Sequence, residues 1–586
     1  MISNWVMRCA CVSLLATSLV ACATAERRFE LREPLPRDTD LRPISIDCEH
    51  RGTPKDPHHV ACAPKPYVSP LAWDGIDNTV FRPLANLFAV DPAREAVNVD
   101  SLDEVVDSAW FTNRLSRRHP SREELLLGAC NQEQLLHPEA AAPGSWVIDH
   151  GKDNGASLGF RVRVGDSQKY MLKNDDPEQP ERATAASAIG AAIYYAVGFN
   201  TSCEQVIYFD RSLLNLTAGL TTTGNTGGPK SFDTKMLERV LSEADRRDNL
   251  YRMQASAWLP GYLIGPFRYE GTRDDDPNDA IPHEDRRELR GVRVLAAWLN
   301  HFDSREENSM DAWIASDPAQ PDSSPGFVRH YYLDLSDCFG SEWDWDGISR
   351  RLGRSYLFDF GDIGADFITL GIPKRPWERV HREPGFEPFG YFSAREFEPD
   401  GWKNEYPNPA FSRATEGDNA WMARILSRFD RADIDALVTL GKFTKPEHAA
   451  YLAEVLERRL QRILERYLLA LSPLADVHVE QGDHLCATDL ARRRGVRAQE
   501  AFRYTAEWRA GSRRQLQPVA VADGGSICVS LPRVGVADAV APDAAARYVV
   551  VSIANDASRY PLRAHLYDLG PRGGYRLVGI ERNSAP

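Results

Sequence analysis

Between residues 144 and 210 the hydrophobic period of this chain switches repeatedly, and few folds accommodate the result. Val147-Ile148 opens an apolar run that meets Gly151, Gly155 and Gly159. Phe160-Arg-Val-Arg-Val164 then alternates apolar and polar side chains with the period of two that a half-buried strand needs. Gly165-Asp166 turns the chain, and Tyr170-Met-Leu-Lys173 makes a second short strand. Ala183 to Val197 is Ala-rich and helical, stopped by Gly198, and Gln205 to Phe209 returns to a strand. Strand, glycine turn, strand, strand, helix, strand describes a sheet with a helix folded against it, and sets the class as α+β.

A second stretch carries the chemistry. Arg286 to Asn300 places Leu289, Val292, Leu295, Ala296 and Leu299 at helical spacing. It delivers a short polar loop, His301-Phe-Asp303-Ser-Arg305-Glu-Glu-Asn308. A carboxylate followed by an amide at this spacing can orient a hydroxyl acceptor and hold a metal ion against phosphates. The same two residue types also serve as ordinary cap and turn residues. Beyond them, Arg329-His-Tyr-Tyr-Leu333 is an apolar strand ending in Asp334, after a Pro/Ser/Asp loop over Trp313 to Pro325.

Taken in order, glycine hairpin, strand Lys173, helix Glu181, H-x-D-x-x-x-x-N and a strand ending in Asp334 resemble the protein-kinase-like fold. Leu333-Asp-Leu-Ser-Asp-Cys-Phe-Gly340 aligns with the D-F-G-x-x-x-G of phosphoinositide-kinase-like and HipA-like branches, and the spacing is similar to that of CotH kinases. Pro180-Glu-Arg-Ala-Thr, Arg286-Arg-Glu-Leu-Arg-Gly and Ala297-Trp-Leu-Asn-His resemble an uncharacterised group of bacterial envelope proteins. The resemblance covers roughly 140 to 470 and implies two lobes, β-rich and helical. It implies Asp303 as the base, Asn308 and Asp334 as metal ligands, and Lys173 with Glu181 setting the phosphates under Gly151, Gly155 and Gly159. The cofactor implied is ATP with Mg²⁺ or Mn²⁺. Some alternatives stay open. Glu178 rivals Glu181, Lys173 can be read as a strand-edge lysine, and the glycines as a plain hairpin turn. Asp359-Phe-Gly361 is a literal DFG, although Asp334 lies nearer Asn308 and is preferred. Phe302 replaces the usual arginine of the loop, and Ser336 a glycine. Arg305 is open to phosphate contact or to solvent.

At the N-terminus, Arg8 precedes an apolar run, Cys11 to Ala21, ending in Leu19-Val-Ala-Cys22. This reads as a secretory signal over 1–21 and resembles the bacterial lipobox, with Cys22 acylated. Ala23 is not the aspartate of inner-membrane retention, so the expected location is the outer membrane facing the periplasm. No later run reaches the ~18 apolar residues of a spanning helix, so membrane attachment is expected through the anchor only. Such a compartment permits disulfides. Cys48 and Cys62 bracket one loop, and Cys486 and Cys528 share a C-terminal module. Seven cysteines follow Cys22, so at least one thiol stays free. There is no CxxC or HExxH zinc pattern.

The 586 residues admit roughly two to four domains. We divide them into a tether (22–69), an extension packing on the core (70–140), a β-rich N-lobe (141–270), a helical C-lobe (271–472) and a C-terminal β module (473–586). In the helical part Thr444-Lys-Pro-Glu447 reads as a capping box opening a helix to about Ala470. A net charge of −14 gives no footprint for nucleic acid. The functional expectation is metal-dependent nucleotide binding with phosphotransfer to an unknown protein or polymer acceptor. The alternative is a non-catalytic kinase-like scaffold. A third reading, metal-assisted hydrolysis at Asp274 to Asp279, is disfavoured because that run holds no histidine.

Overall fold

A computed structural model describes residues 27–35, 38–52, 58–67, 75–86, 94–152, 157–223, 229–534 and 544–582. The proposed signal segment and Cys22 lie outside these residues, as does Gly155. The chain is α+β and divides into two compact units. The larger is Pro36–Val99 with Glu104–Leu468. The smaller joins Leu469–Pro586 to Asp100–Asp103 and to the described part of Met1–Leu35.

In the larger unit the alternating text becomes β1 (Trp146–Lys152), β2 (Gly159–Val164) and β3 (Gln168–Lys173). The Ala-rich run becomes α1 (Arg182–Val197), which leads to β4 (Glu204–Phe209). These strands and β5 (Leu250–Ala257) lie in one seven-stranded sheet, where β5 is flanked by β3 and β4. The inward residues that alternation selects, Phe160, Val162 and Leu172, are buried with Trp146, Ile207 and Met253. Gly198 ends α1 at φ 145°, beside the Phe111 ring, where a Cβ would sit 2.3 Å from a ring carbon. Only glycine fits that backbone and that contact.

The second apolar run forms α2 (Arg287–Leu299), stopped by Asn300 in the left-handed region at φ 56°. Trp298, Leu295 and Leu299 of α2 are buried, and Trp298 Nε1 donates to Leu456 O (2.8 Å). The polar loop after α2 runs straight into β6 (Ser309–Ala315), paired antiparallel with β7 (Gly326–Tyr332). The loop expected from Trp313 is therefore shorter: Trp313 is a buried strand residue, because its ring belongs to an apolar cluster with Ile264 and Val328. Helices follow as α3 (Phe360–Thr369), α4 (Glu416–Leu426) and α5 (Pro446–Ile463), the last continued by a π turn to Leu468.

The expected capping box at α5 does not form, since the N-cap is Lys445 and no side chain caps it. Thr444 instead bonds Glu181. Nor are the described residues of 38–67 a free tether. Asp38 pairs with the fully buried Arg286 (2.6 Å), Ile44 bridges Gly326, and Tyr67 N donates to Ile264 O. Residues 94–99 and 104–140 belong to the larger unit as well, where Trp110 stacks on His330 at 3.4 Å.

The smaller unit holds a four-stranded and a five-stranded antiparallel sheet. Their core includes Leu485, Ile527, Trp508, Val549 and Val551. Phe29 fills the space above Gly579, against Tyr567 and Val578, so residues 27–35 belong to this unit rather than to a linker. Disulfides join Cys48 to Cys62 and, across paired strands, Cys486 to Cys528. A third, Cys130–Cys203, was not foreseen. Cys338 stays a free, buried thiol, its pKa pushed well up by burial. Among the described residues no helix is long and apolar enough to cross a membrane.

Candidate functional site

Lys173 ends β3 and Asp334 follows β7, and their side chains meet: Nζ donates to Asp334 Oδ1 at 2.9 Å. Two cavities adjoin this pair, and Lys173, Asn308 and Asp334 line both. One, of about 230 Å³, is mainly apolar, with Met171, Leu263, Met310 and Leu333 on its walls. The other, of about 390 Å³, is polar and takes Asp303, Asp337, Lys152 and Arg182. One cleft thus has an apolar end and a charged end, with Lys173 between them.

Burial alone would lower the Lys173 ammonium, but Asp334, helped by Glu204, carries its pKa above the usual lysine value. Burial would raise Asp334, yet Lys173 and the Ser336 hydroxyl (2.7 Å) hold it below the carboxylate range. Asp334 keeps 40% of its side-chain surface open to the cleft. An ion or phosphate arriving there meets a charged oxygen.

The polar loop is locked from within. Asn308 Nδ2 donates to Asp303 O (2.7 Å), which leaves the amide oxygen of Asn308 uncommitted by that bond. Asp303 N donates to Asp337 Oδ2 (2.9 Å). Arg305 Nε lies 2.9 Å from Asp303 Oδ1, and Arg305 also lines the polar cavity. Glu405, buried and beside Asp303, has its pKa pushed up to about 9, first by burial and then by Asp303. At neutral pH it is a carboxylic acid donating to the Asp303 carboxylate. His301 is fully buried and its pKa is lowered to about 3 by burial, so it is neutral. Its Nδ1 shares a hydrogen bond with Tyr194 Oη (2.7 Å), and Nε2 faces Asp337 Oδ1 at 3.5 Å. Asp337 is raised well above its usual pKa by burial and then by Asp303.

Glu181 does not reach Lys173. It sits in the left-handed region at the head of α1 and accepts from Thr444 N (3.0 Å). Its rival Glu178 is exposed. No residue of α1 is acidic, so the helix supplies no partner for the lysine. The second carboxylate near Lys173 comes from a strand instead. Glu204 starts β4 and accepts from Ser202 Oγ (2.6 Å), Gln254 Nε2 (2.8 Å) and Ser256 Oγ (2.6 Å). The head of α1 serves another purpose: Arg182 donates to Ser336 O (2.6 Å) and Cys338 O (3.2 Å), fixing the turn after Asp334. Asp359 lies outside this cleft, where it caps α3 through Asp362 N and pairs with Lys403.

The glycines of the hairpin answer to packing. A Cβ on Gly151 would lie 2.1 Å from the Phe232 ring, and one on Gly159 2.2 Å from Leu172 O. At the acidic run, Asp279 is held by His283 Nε2 (2.7 Å), a histidine just beyond it, but the His283 Nδ1 is spent on Arg268 O. That leaves no nitrogen for a metal.

Among the described residues, the one group of three His, Cys, Asp or Glu ligands with atoms within 4.8 Å of one another is Glu480, Cys486 and Cys528, whose sulfurs form a disulfide. The cleft carboxylates are therefore not a closed cage. Glu204, Arg182 and Asp337, which line the cleft, were not singled out in the sequence, and Glu405 comes from a loop far along the chain that meets Asp303 only in the fold. No family model matches the chain, and neither curated proteins nor solved structures give a match.

Proposed function

We propose that this is an envelope lipoprotein, acylated at Cys22, whose core is an atypical kinase-like domain. It binds a nucleotide with Mg²⁺ or Mn²⁺ and transfers phosphate to a protein or polymer. The observation that carries the reading is the single cleft in which Lys173, Asn308 and Asp334 line both an apolar end and a polar end. A base would occupy the first and the phosphates the second. The lobes of the kinase-like fold correspond on this reading to the seven-stranded sheet and to the helices after α2, with the cleft between.

The residue roles follow from the chemistry. Asp334 and the amide oxygen of Asn308 would hold the ion, which supplies charge neutralisation at the phosphates. Lys173 and Lys152 bind phosphate oxygens as point charges. Asp303 orients the acceptor hydroxyl and takes its proton. Arg305 and the protonated Glu405 hold its carboxylate in place until the acceptor displaces one of them. Arg182 keeps the turn carrying Asp334 from drifting, through its bonds to two carbonyls.

One observation favours the alternative, a pseudokinase scaffold: Lys173 leans on Asp334, the same residue that an ion would need, and α1 offers no acid in exchange. Thermal unfolding with ATP and each divalent ion separates the readings. A ligand bound only by the folded state at a hundred times its Kd adds about 2.7 kcal/mol, a rise of a few degrees. No rise with ATP and any divalent ion would end the kinase reading and leave the scaffold.

A further inference from the structure

A cavity of about 530 Å³, larger than either end of the cleft, opens elsewhere in the larger unit and shares no lining residue with the cleft. Sites for small organic ligands run from about 300 to 1,000 Å³ and are walled mostly by apolar and aromatic groups. This cavity fits that description, with Trp377, Val380, Phe397 and Trp402 among its walls. Trp402 is 3% exposed and its Nε1 donates to Asn300 Oδ1 (3.0 Å), which fixes the indole as a rigid wall. Trp377 is only half-buried.

Two arginines set this cavity apart from a plain apolar pocket. Arg459 is 3% exposed and donates to Trp298 O (2.8 Å), Ser393 O (2.9 Å) and Ala297 O (2.5 Å). Arg354 donates to Tyr391 O (2.8 Å) and Arg350 O (3.3 Å). Carbonyls satisfy N–H groups without cancelling the charge. Among the described residues neither guanidinium forms an ion pair. Burial brings the Arg354 pKa down to about 10, although Glu396 pulls the other way. Burial, and then the nearby Arg354 and Arg462, hold Arg459 well below the ordinary arginine value. A charge withdrawn from water without a counter-charge is costly, and an entering anion relieves that cost.

The two acids of the lining do not supply the counter-charge. Glu396 is engaged by Ser393 Oγ and Arg395 Nε. Glu398, its side chain 82% exposed, leans on Arg462 at 3.7 Å. With the exposed Lys374 and Arg379, the lining holds four bases against these two acids. We propose that this cavity binds a small molecule carrying a carboxylate or phosphate on a planar ring, the oxyanion at Arg354 and Arg459 and the ring against Trp377 and Trp402. A guanidinium has five N–H donors, so the carbonyl bonds leave donors for an oxyanion, which guanidinium binds best. The indoles supply the stacking surface. The site does not depend on the cleft binding a nucleotide.

The test uses the chain from Ala23 onward, which keeps every described residue. It is titrated in a calorimeter with indole-3-acetate and with phenyl phosphate, beside their uncharged counterparts indole-3-acetamide and phenol. At least one anion binds with a single site, roughly tenfold or more tighter than its counterpart. Whichever binds tighter names the oxyanion. Arg354→Gln abolishes this preference. Trp377→Ala weakens anion and counterpart alike, by about fivefold, and leaves the buried arginines in place should Arg354→Gln fail to fold. Lys173→Met, in the cleft, leaves the affinity unchanged. Melting temperatures of all variants check their folding. Four results would overturn the proposal: neither anion binds; the uncharged counterparts bind as tightly; Trp377→Ala keeps full affinity; or Lys173→Met abolishes binding, which would place the anion in the cleft.

Discussion

Replacing Glu405 with Gln should stabilise the larger unit, increasingly so as pH rises. Glu405 is only 4% exposed, and Arg305 Nη1 stays 3.7 Å from Oε2. Its pKa is pushed up to about 9 in the fold from the ordinary 4.5, chiefly because burial disfavours the charged form. Between those values the folded chain holds a proton that the unfolded chain releases. Stability is then fully present below about pH 4.5 and is lost as pH rises toward 9. One proton corresponds to about 1.4 kcal/mol per pH unit, so the loss between pH 7 and 9 is on the order of 3 kcal/mol at most. His301 acts in the opposite sense, because its depressed pKa makes stability rise with pH, but only up to its unfolded value of about 6.5. Above pH 7 it contributes no slope.

Glutamine keeps the shape and an N–H donor toward Asp303, and it has no proton to lose. Calorimetry of wild type and Glu405→Gln across pH 6 to 9 should show melting temperatures that diverge with pH, the variant higher. The wild-type slope should exceed that of the variant by up to about 1.4 kcal/mol per unit. A constant difference across the range would refute the reasoning, since it would mean that Glu405 is already ionised in the fold.

Asp334→Ala should abolish metal-dependent nucleotide binding, whereas Asp303→Ala should keep binding and lower phosphate transfer by ~10²–10⁴-fold; calorimetric titration and a transfer assay read the two. Opening the Cys130–Cys203 bridge, which spans 73 residues, with a double Ser substitution should cost roughly 4 kcal/mol by chain entropy. An unchanged melting temperature in the oxidised and double-Ser proteins would contradict this. Gly159→Ala forces a Cβ toward Leu172 O and should destabilise by about 1–3 kcal/mol; a melting temperature equal to wild type would show that the strands part without strain.

Local pattern revealed the elements far better than it revealed what their side chains do. The period of two in Phe160–Val164, the Ala-rich run and the apolar spacing of α2 each depend on neighbours in sequence, and β2, α1 and α2 form where that spacing puts them. Lys173 was legible because it ends a strand and Asp334 because it lies just beyond one, where a sheet presents side chains to a cleft. The partner of Lys173 was not legible, since Glu181 satisfied the spacing and yet sits at φ 65°, turned toward Thr444. The α1 that follows is so small-sided that it packs flush: Gly190 lies against Leu335, where a Cβ would come within 3.2 Å of its side chain. That close fit leaves no room for a long acid on the facing side of the helix. Lys173 must therefore take its counter-charges from the sheet and from the turn after β7. Glu204 and Asp334 supply them from elements that only the folded chain brings together. A lysine that feels Glu204 as well as Asp334, both of them lining the cleft, would keep one counter-charge if an ion took the other.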